Sequence, residues 1–257
     1  MHLSLIDVTL LVVAGLAAGM VNAIAGGGSL LTFPALIATG LPAVAANVTN
    51  SLSVTPGYWS SVWGSRAELA GQAKRARWLV PLALVGGVGG CVLLLLTPPS
   101  VFEVVTPFLV LSATAVLGFQ TKLQGLIGHP ADLSPLRRRA TLTVLTLLGA
   151  AYGGYFGAAL GVVLVAVLAL VLDETLQRVN ALKNVLSATV GAVTVAVYAI
   201  FGPVSWLGVA VVAPATVAGG YLGARVARRL SARTLRWTIV VFGTVVGLIL
   251  LYRAIWS

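Results

Sequence analysis

Asn50–Gly57 reads NSLSVTPG and Asn184–Gly191 reads NVLSATVG, so Asn, Leu, Ser, Thr and Gly return at the same places 134 residues later. The same offset carries Gly15, Gly19 and Gly27 onto Gly149, Gly153 and Gly161. It also carries Gly86 and Gly89 onto Gly220 and Gly223, and Phe108 onto Phe242. Identities spread without gaps over both halves mark an internal duplication of about half the chain, a design common in transporters.

The surroundings of the repeat are apolar. Of 257 residues 59% are hydrophobic and only 9% charged, with mean hydropathy +1.03. A soluble domain carries about a quarter charged residues. Runs such as Trp78–Thr97, Val179–Phe201 and Trp237–Trp256 approach the ~20 residues that span a bilayer as helix. They are unbroken, whereas outer-membrane strands alternate. The expected fold is all-α, a polytopic helical membrane protein. Its formal charge of +10 comes from Lys and Arg in short loops, as cytoplasmic loops require, so no nucleic-acid partner is expected. The single cysteine, Cys91, sits in an apolar run and forms no intrachain disulfide. Leu3–Met20 lacks a basic stretch before it and reads as a retained segment.

Each half reads as five segments. They run Leu5–Ile24, Ser29–Thr39, Ala43–Trp63, Trp78–Thr97 and Val101–Gly118, then Ala140–Phe156, Ala158–Leu172, Val179–Phe201, Ser205–Ala224 and Arg236–Trp256. Residues 1–122 and 140–257 are the two repeats, and 123–139 is a basic linker. The second segment of each half is short and follows a glycine-rich junction, AIAGGGSL or YFGAALGV. Such pairs are expected to be broken or re-entrant hairpins. Arg66, Lys74, Arg75 and Arg77 mark the loop after the third segment of the first half, while the equivalent loop around Gly202 has no basic residue. The reverse holds for Thr97–Ser100 against Arg225, Arg228, Arg229, Arg233 and Arg236. With Lys122 and Arg137–Arg139 also inside, the halves are expected to be inverted and both termini external.

Inverted repeats bind substrate near the midplane, against broken helices. On the third segment, Asn50, Ser53 and Gly57 share a face, with Asn47 and Ser61 nearby; Asn180, Asn184, Ser187, Gly191 and Thr194 repeat the stripe. The expected site takes Asn22, Gly27, Gly28, Ser29 and Asn50 from one half. From the other it takes Tyr155, Gly157, Lys183 and Asn184. Backbone N–H groups at Ser29 and asparagine amides suit an oxyanion. Polar side chains in membranes also join helices to one another. Lys183 lies ~7 Å into its segment, at 1.5 Å per residue, and ~40° around the axis from Ser187; a lysine at that depth can reach a pocket or snorkel to the surface.

The cluster Gly26–Gly28 is not followed by the Gly-Lys-Ser/Thr of an NTPase loop. Asp7, Glu68, Glu103, Asp132, Asp173 and Glu174 all lie at termini, loops or segment ends, and His2 and His129 are isolated. No mid-span carboxylate, metal site or nucleophile–base pair is written here, so neither enzyme nor cofactor is expected. The G-xxx-G spacings at Gly15/Gly19, Gly149/Gly153/Gly157/Gly161, Gly86/Gly90 and Gly219/Gly223 read as close helix contacts, and would also admit a homodimer.

GLAAGMVNAIAGGGSLLTFPAL, ANVTNSLSV and NALKNVLSATVGAV resemble the sulfite exporter TauE/SafE family, the four-toluene sulfonate uptake permeases, and so does GGYFGAALGV. The likeness runs from about Leu10 to Leu250. It implies a multi-pass permease of the bacterial inner membrane, a secondary carrier of sulfite, organosulfonates or related anions. A carrier or channel for other small organic anions, or a membrane assembly factor, would share the same missing carboxylates.

Overall fold

The computed structural model describes residues 3–24, 27–126, 134–158, 160–226 and 232–256. Gly26, linker residues 127–133, Arg228 and Arg229 lie outside them. Among the described residues there are ten helices and no strand. They are α1 (Leu5–Ile24), α2 (Ser29–Ala38), α3 (Ala43–Gly64), α4 (Ala73–Leu96) and α5 (Pro99–Leu126), then α6 (Pro135–Tyr155), α7 (Leu160–Val171), α8 (Leu176–Phe201), α9 (Trp206–Val226) and α10 (Ala232–Trp256).

The expected segments and these helices agree in number and order. They differ at their polar ends, because backbone hydrogen bonding continues where hydropathy stops. α4 begins five residues before Trp78, α5 continues to Leu126 and α6 starts at Pro135, so helix occupies both ends of the segment read as linker. Ser134 caps α6 by accepting from the Arg137 N–H, with Pro135 in the first turn, where a missing N–H costs nothing. Among the described residues, α1, α4, α5 and α8 are long and apolar enough to cross a membrane. Large apolar side chains such as Val85, Leu93, Phe108 and Leu148 point outward, as a lipid-facing surface requires. The chain is a multi-pass membrane protein.

Glycine sets the tightest packing. α1 runs parallel to α9, and a Cβ on Gly19 or Gly219 would overlap the Thr216 or Leu16 carbonyl across the pair. α4 runs parallel to α6 in the same way, through Gly86 and Gly90 against the Leu147 and Ala151 carbonyls and Gly154 against that of Gly87. Only hydrogen in place of a side chain permits such backbone contact. These faces are thus occupied within the chain, which leaves the homodimer without their support.

The pairings mirror one another at the offset of 134. Exchange of halves turns α1–α9 into α6–α4, and α3–α9 into α8–α4, and all four pairs are in contact. The equivalent helices α3 and α8 cross the middle antiparallel, Asn184 lying at Ser61 and Gly191 at Thr55. α5 and α10 are also antiparallel, with Gly118 against Val240 and Gly247 against Leu111.

One end gathers the basic loops. Arg75 pairs with Glu174 at 2.5 Å, and Arg178 pairs with the other oxygen at 2.7 Å. Gln72 Nε2 donates to the Arg178 carbonyl and Arg178 Nη1 to that of Ala70. The Arg75 hydrogen bond, joined by Arg178, holds the Glu174 carboxyl below its ordinary pKa. A lowered carboxylate contributes stability above its unfolded value, lost as pH falls through the folded one. Glu174→Gln is therefore expected to flatten the acid limb of a melting-temperature profile, by under about 1 kcal/mol for so exposed a pair; an unchanged acid limb counts against this latch.

Candidate functional site

α3 is the polar centre of the molecule. Ala45–Thr55 is buried without interruption, which normally requires an apolar helix. Yet the stretch holds Asn47, Thr49, Asn50, Ser51, Ser53 and Thr55, and their partners explain how it stays inside. Asn50 Oδ1 accepts from Thr32 Oγ1 on α2 at 2.5 Å. Asn47 Nδ2 donates to the Tyr155 carbonyl at 2.9 Å. Thr49 Oγ1 accepts from the Ser205 N–H at 3.0 Å, and Thr216 Oγ1 donates to the Ser53 carbonyl at 2.9 Å. Two atoms are left over: Asn47 Oδ1 and Asn50 Nδ2 are buried without a hydrogen-bond partner.

Both broken hairpins meet this helix. In the first, Gly27 takes φ +90° and Asn22 Oδ1 accepts from the Gly28 N–H at 2.8 Å. The Gly28 N–H, expected to face an anion, is thereby engaged. Ser29 is buried at the start of α2. In the second, Gly157 takes φ +66°. The turn is held by the Tyr152 hydroxyl on the Ala158 carbonyl at 2.8 Å and the Tyr198 hydroxyl on that of Gly154. This break falls at Gly157 and not at Gly161, the offset partner of Gly27, which lies inside α7. The hairpins touch, with Phe33 edge-on to Phe156 at 5.2 Å between centroids.

A narrow, half-open cleft lies between α3, the second hairpin and α8. Ser51, Thr55 and Tyr58 line it from α3, Gly153, Gly157 and Leu160 from the hairpin, and Gly191 and Thr194 from α8. Ser51, Thr55 and Thr194 donate to carbonyls of their own helices, so lone pairs remain to meet a ligand. Composition could not separate these hydroxyls from helix-joining ones; Thr194 alone lay on an expected stripe.

The nine expected residues fall into three places. Asn22, Gly27, Gly28 and Ser29 build the first break, with Asn50 bonded to α2 beside it. Tyr155 and Gly157 build the second. Asn184 and Lys183 lie toward the basic end. Asn184 Nδ2 donates to Ser65 Oγ at 3.0 Å and to the Ser61 carbonyl at 3.3 Å, so the structure does not bring Asn184 and Asn50 together. The offset equivalent of Ser65 is Ala199, which is why Asn50 has no matching hydroxyl on α8. Lys183 is 7% exposed, and among the described residues no hydrogen bond or ion pair reaches it. It shares one face of α8 with Ser187, whose buried hydroxyl also lacks a partner, and with Gly191 and Thr194 of the cleft. At 1.5 Å per residue Lys183 sits ~12 Å along that face from Gly191.

Among the described residues no cluster of His, Cys, Asp or Glu forms a metal site. The geometry instead supplies neutral donors and acceptors around two helix breaks, with one buried cation, Lys183, toward the basic end. That arrangement fits recognition without covalent chemistry.

Similar proteins agree with a membrane role. A "Probable membrane transporter protein" of Haemophilus influenzae is 26% identical over 242 residues, covering 94% of this chain and 93% of its own. The probable membrane transporter protein YfcA of Escherichia coli is 26% identical over 243 residues, covering 91% and 86%. The probable membrane transporter protein ORF9 of Sinorhizobium is 29% identical over 153 residues, and the match spans about half of that protein, 54%. No solved structure matches. The sulfite exporter TauE/SafE family model matches residues 11–250, nearly the whole chain including both breaks and both asparagine-headed helices, and the chain belongs to that family of membrane transporters.

Proposed function

We propose that the protein is a secondary carrier of small sulfur-containing anions, sulfite or organosulfonates, in a bacterial inner membrane. The observation that carries the reading is the buried polar stretch of α3 between two helix breaks, with unmet amide atoms at Asn47 and Asn50. A passive assembly factor has no use for unmet polar atoms in its centre, whereas a binding site does. With Oδ1 held by the Thr32 hydroxyl, the unmet Nδ2 of Asn50 is the group left to donate to an oxyanion. Lys183 adds the only positive charge buried among the described residues.

The antiparallel crossing of α3 with α8 and of α5 with α10 supports two halves inverted across the bilayer, rocking about a fixed site. Basic loops inside place both termini outside. Since Cys91 is fully buried, new cysteines report without background. Gly71→Cys is expected to label only after permeabilisation, and Pro98→Cys and Pro203→Cys in intact cells. Labelling of Gly71 and Pro203 from the same side overturns the inversion.

Uptake of labelled sulfite, sulfoacetate and taurine into proteoliposomes tests the substrate. Saturable transport of at least one is expected, and Asn50→Ala is expected to lower it about tenfold or more, since it removes a donor to a buried charge. Transport of carboxylates in place of all three moves the assignment to another anion class.

A further inference from the structure

The break in the second hairpin leaves a backbone oxygen with nothing to receive. α6 stops at Tyr155 because Gly157 turns the chain at φ +66°, which leaves the last carbonyls of the helix without their usual donors. Tyr152 keeps its usual Phe156 N–H donor, and two others are satisfied from elsewhere, Gly154 by the Tyr198 hydroxyl and Tyr155 by Asn47. No described residue donates to the Gly153 carbonyl. Beside this end lies Asn47, fully buried, with Oδ1 unpartnered. Its orientation is fixed, because a carbonyl accepts only, so Nδ2 must face Tyr155 and the orphan must be the oxygen. An orphan acceptor calls for a proton donor or a cation.

We infer that the broken end of α6 binds one sodium ion, held by Asn47 Oδ1 and the free Gly153 carbonyl oxygen, with Ser51 Oγ at its edge. Ser51 is one turn from Asn47, lines the cleft with Gly153 and Gly157, and would lie 2.9 Å from a Cβ on Gly157. The negative end of the α6 dipole favours a cation there, and carbonyls of interrupted helices are a recurring sodium cage. The ligands are neutral. A divalent ion needs carboxylates, and Asn47, Ser51 and the Gly153 carbonyl supply none; a coupled proton needs a titrating side chain, which Asn and Ser are not. Asn47 and Ser51 correspond to Ala181 and Val185 at the repeat offset, so the first hairpin has no copy of this cage and the inferred site is single. Its role as coupling ion rests on the transport reading; the site itself does not.

The test uses the full chain purified in detergent, melted in choline chloride with sodium chloride replacing it at constant ionic strength, alongside equilibrium binding of radioactive sodium. The wild type is expected to bind sodium saturably and to melt higher, with potassium chloride giving no comparable shift. Asn47→Ala and Ser51→Ala are expected to raise the half-saturating sodium concentration about tenfold or more, and Asn47→Asp to retain binding. Identical melting in sodium and choline, or wild-type sodium affinity in both alanine variants, overturns the site. Should Asn47→Ala not fold, the wild-type titration and Ser51→Ala decide alone. Sodium binding with no uptake of any sulfur anion keeps the site and removes the transport reading. Anion uptake with no sodium binding does the reverse.

Discussion

Gly28→Ala is expected to abolish accumulation of folded protein, while Gly57→Ala accumulates like the wild type. Gly28 has ordinary helical backbone angles, φ −59° and ψ −27°, so conformational freedom is not what the position requires. The reason is contact. A Cβ there would overlap the Ala18 carbonyl of α1, with the Ala18 Cα beside it. Flexible side chains can yield to an added methyl, but these are backbone atoms of a buried helix, and displacing α1 disturbs its glycine seam with α9. Overpacking a core costs about 1–3 kcal/mol where neighbours adjust, and more when the obstacle is main chain. Against a total stability of about 5–15 kcal/mol, that is decisive. The movement would also strain the part-buried Gly28 N–H bond to Asn22. Gly27→Ala should fall between the two variants: its methyl would make ordinary side-chain contacts, with Val162 at 3.4 Å and Leu117 at 3.7 Å, but φ +90° penalises any L-residue by roughly 1–2 kcal/mol. Fluorescence-detected gel filtration followed by thermal melting ranks the three. A Gly28→Ala protein that melts with the wild type would mean the hairpin does not lie against α1 as described.

The repeat made most of this fold legible. Gly15, Gly19, Gly86, Gly90 and Gly219 could be assigned to helix contacts from spacing alone, because close approach needs glycine one turn apart and little else does. The site was harder, for two reasons. An identity offset records ancestry, not dihedral angles: Gly27 and Gly161 align as letters, yet the chain breaks at Gly157 because Tyr152 and Tyr198 hold that turn. Equivalence of Asn50 and Asn184 failed in the same way. Each asparagine bonds whatever lies across from it, and Ser65 is opposite one where Ala199 stands for the other. Asn47, at the margin of the expected stripe, turned out to reach a carbonyl 108 residues away in sequence. Helical periodicity describes one helix at a time, and that bond depends on where a second helix ends.

Lys183→Met is expected to raise the melting temperature of the anion-free protein while removing its stabilisation by sulfite. A buried ammonium with no counter-ion is costly, and an apolar residue of similar length commonly improves stability by about 1–4 kcal/mol where a buried charge is replaced. Proteins keep such a group when a ligand supplies the missing partner. The surroundings favour that account: Ser187, one turn along the same face, also lacks a partner, and the face continues to Gly191 and Thr194 in the cleft. At 7% exposure the side chain is held within the helix bundle and does not extend freely into solvent as a snorkelled lysine does. Lys183→Gln keeps the length and polarity but not the charge, so it should weaken anion binding without the gain in stability. Lys183→Arg restores charge with a larger, planar head, and partial recovery of binding is expected. Melting each variant across a sulfite titration at low salt separates the two effects. If Lys183→Met melts at or below the wild type and sulfite still shifts it equally, Lys183 neither strains the empty protein nor meets the anion.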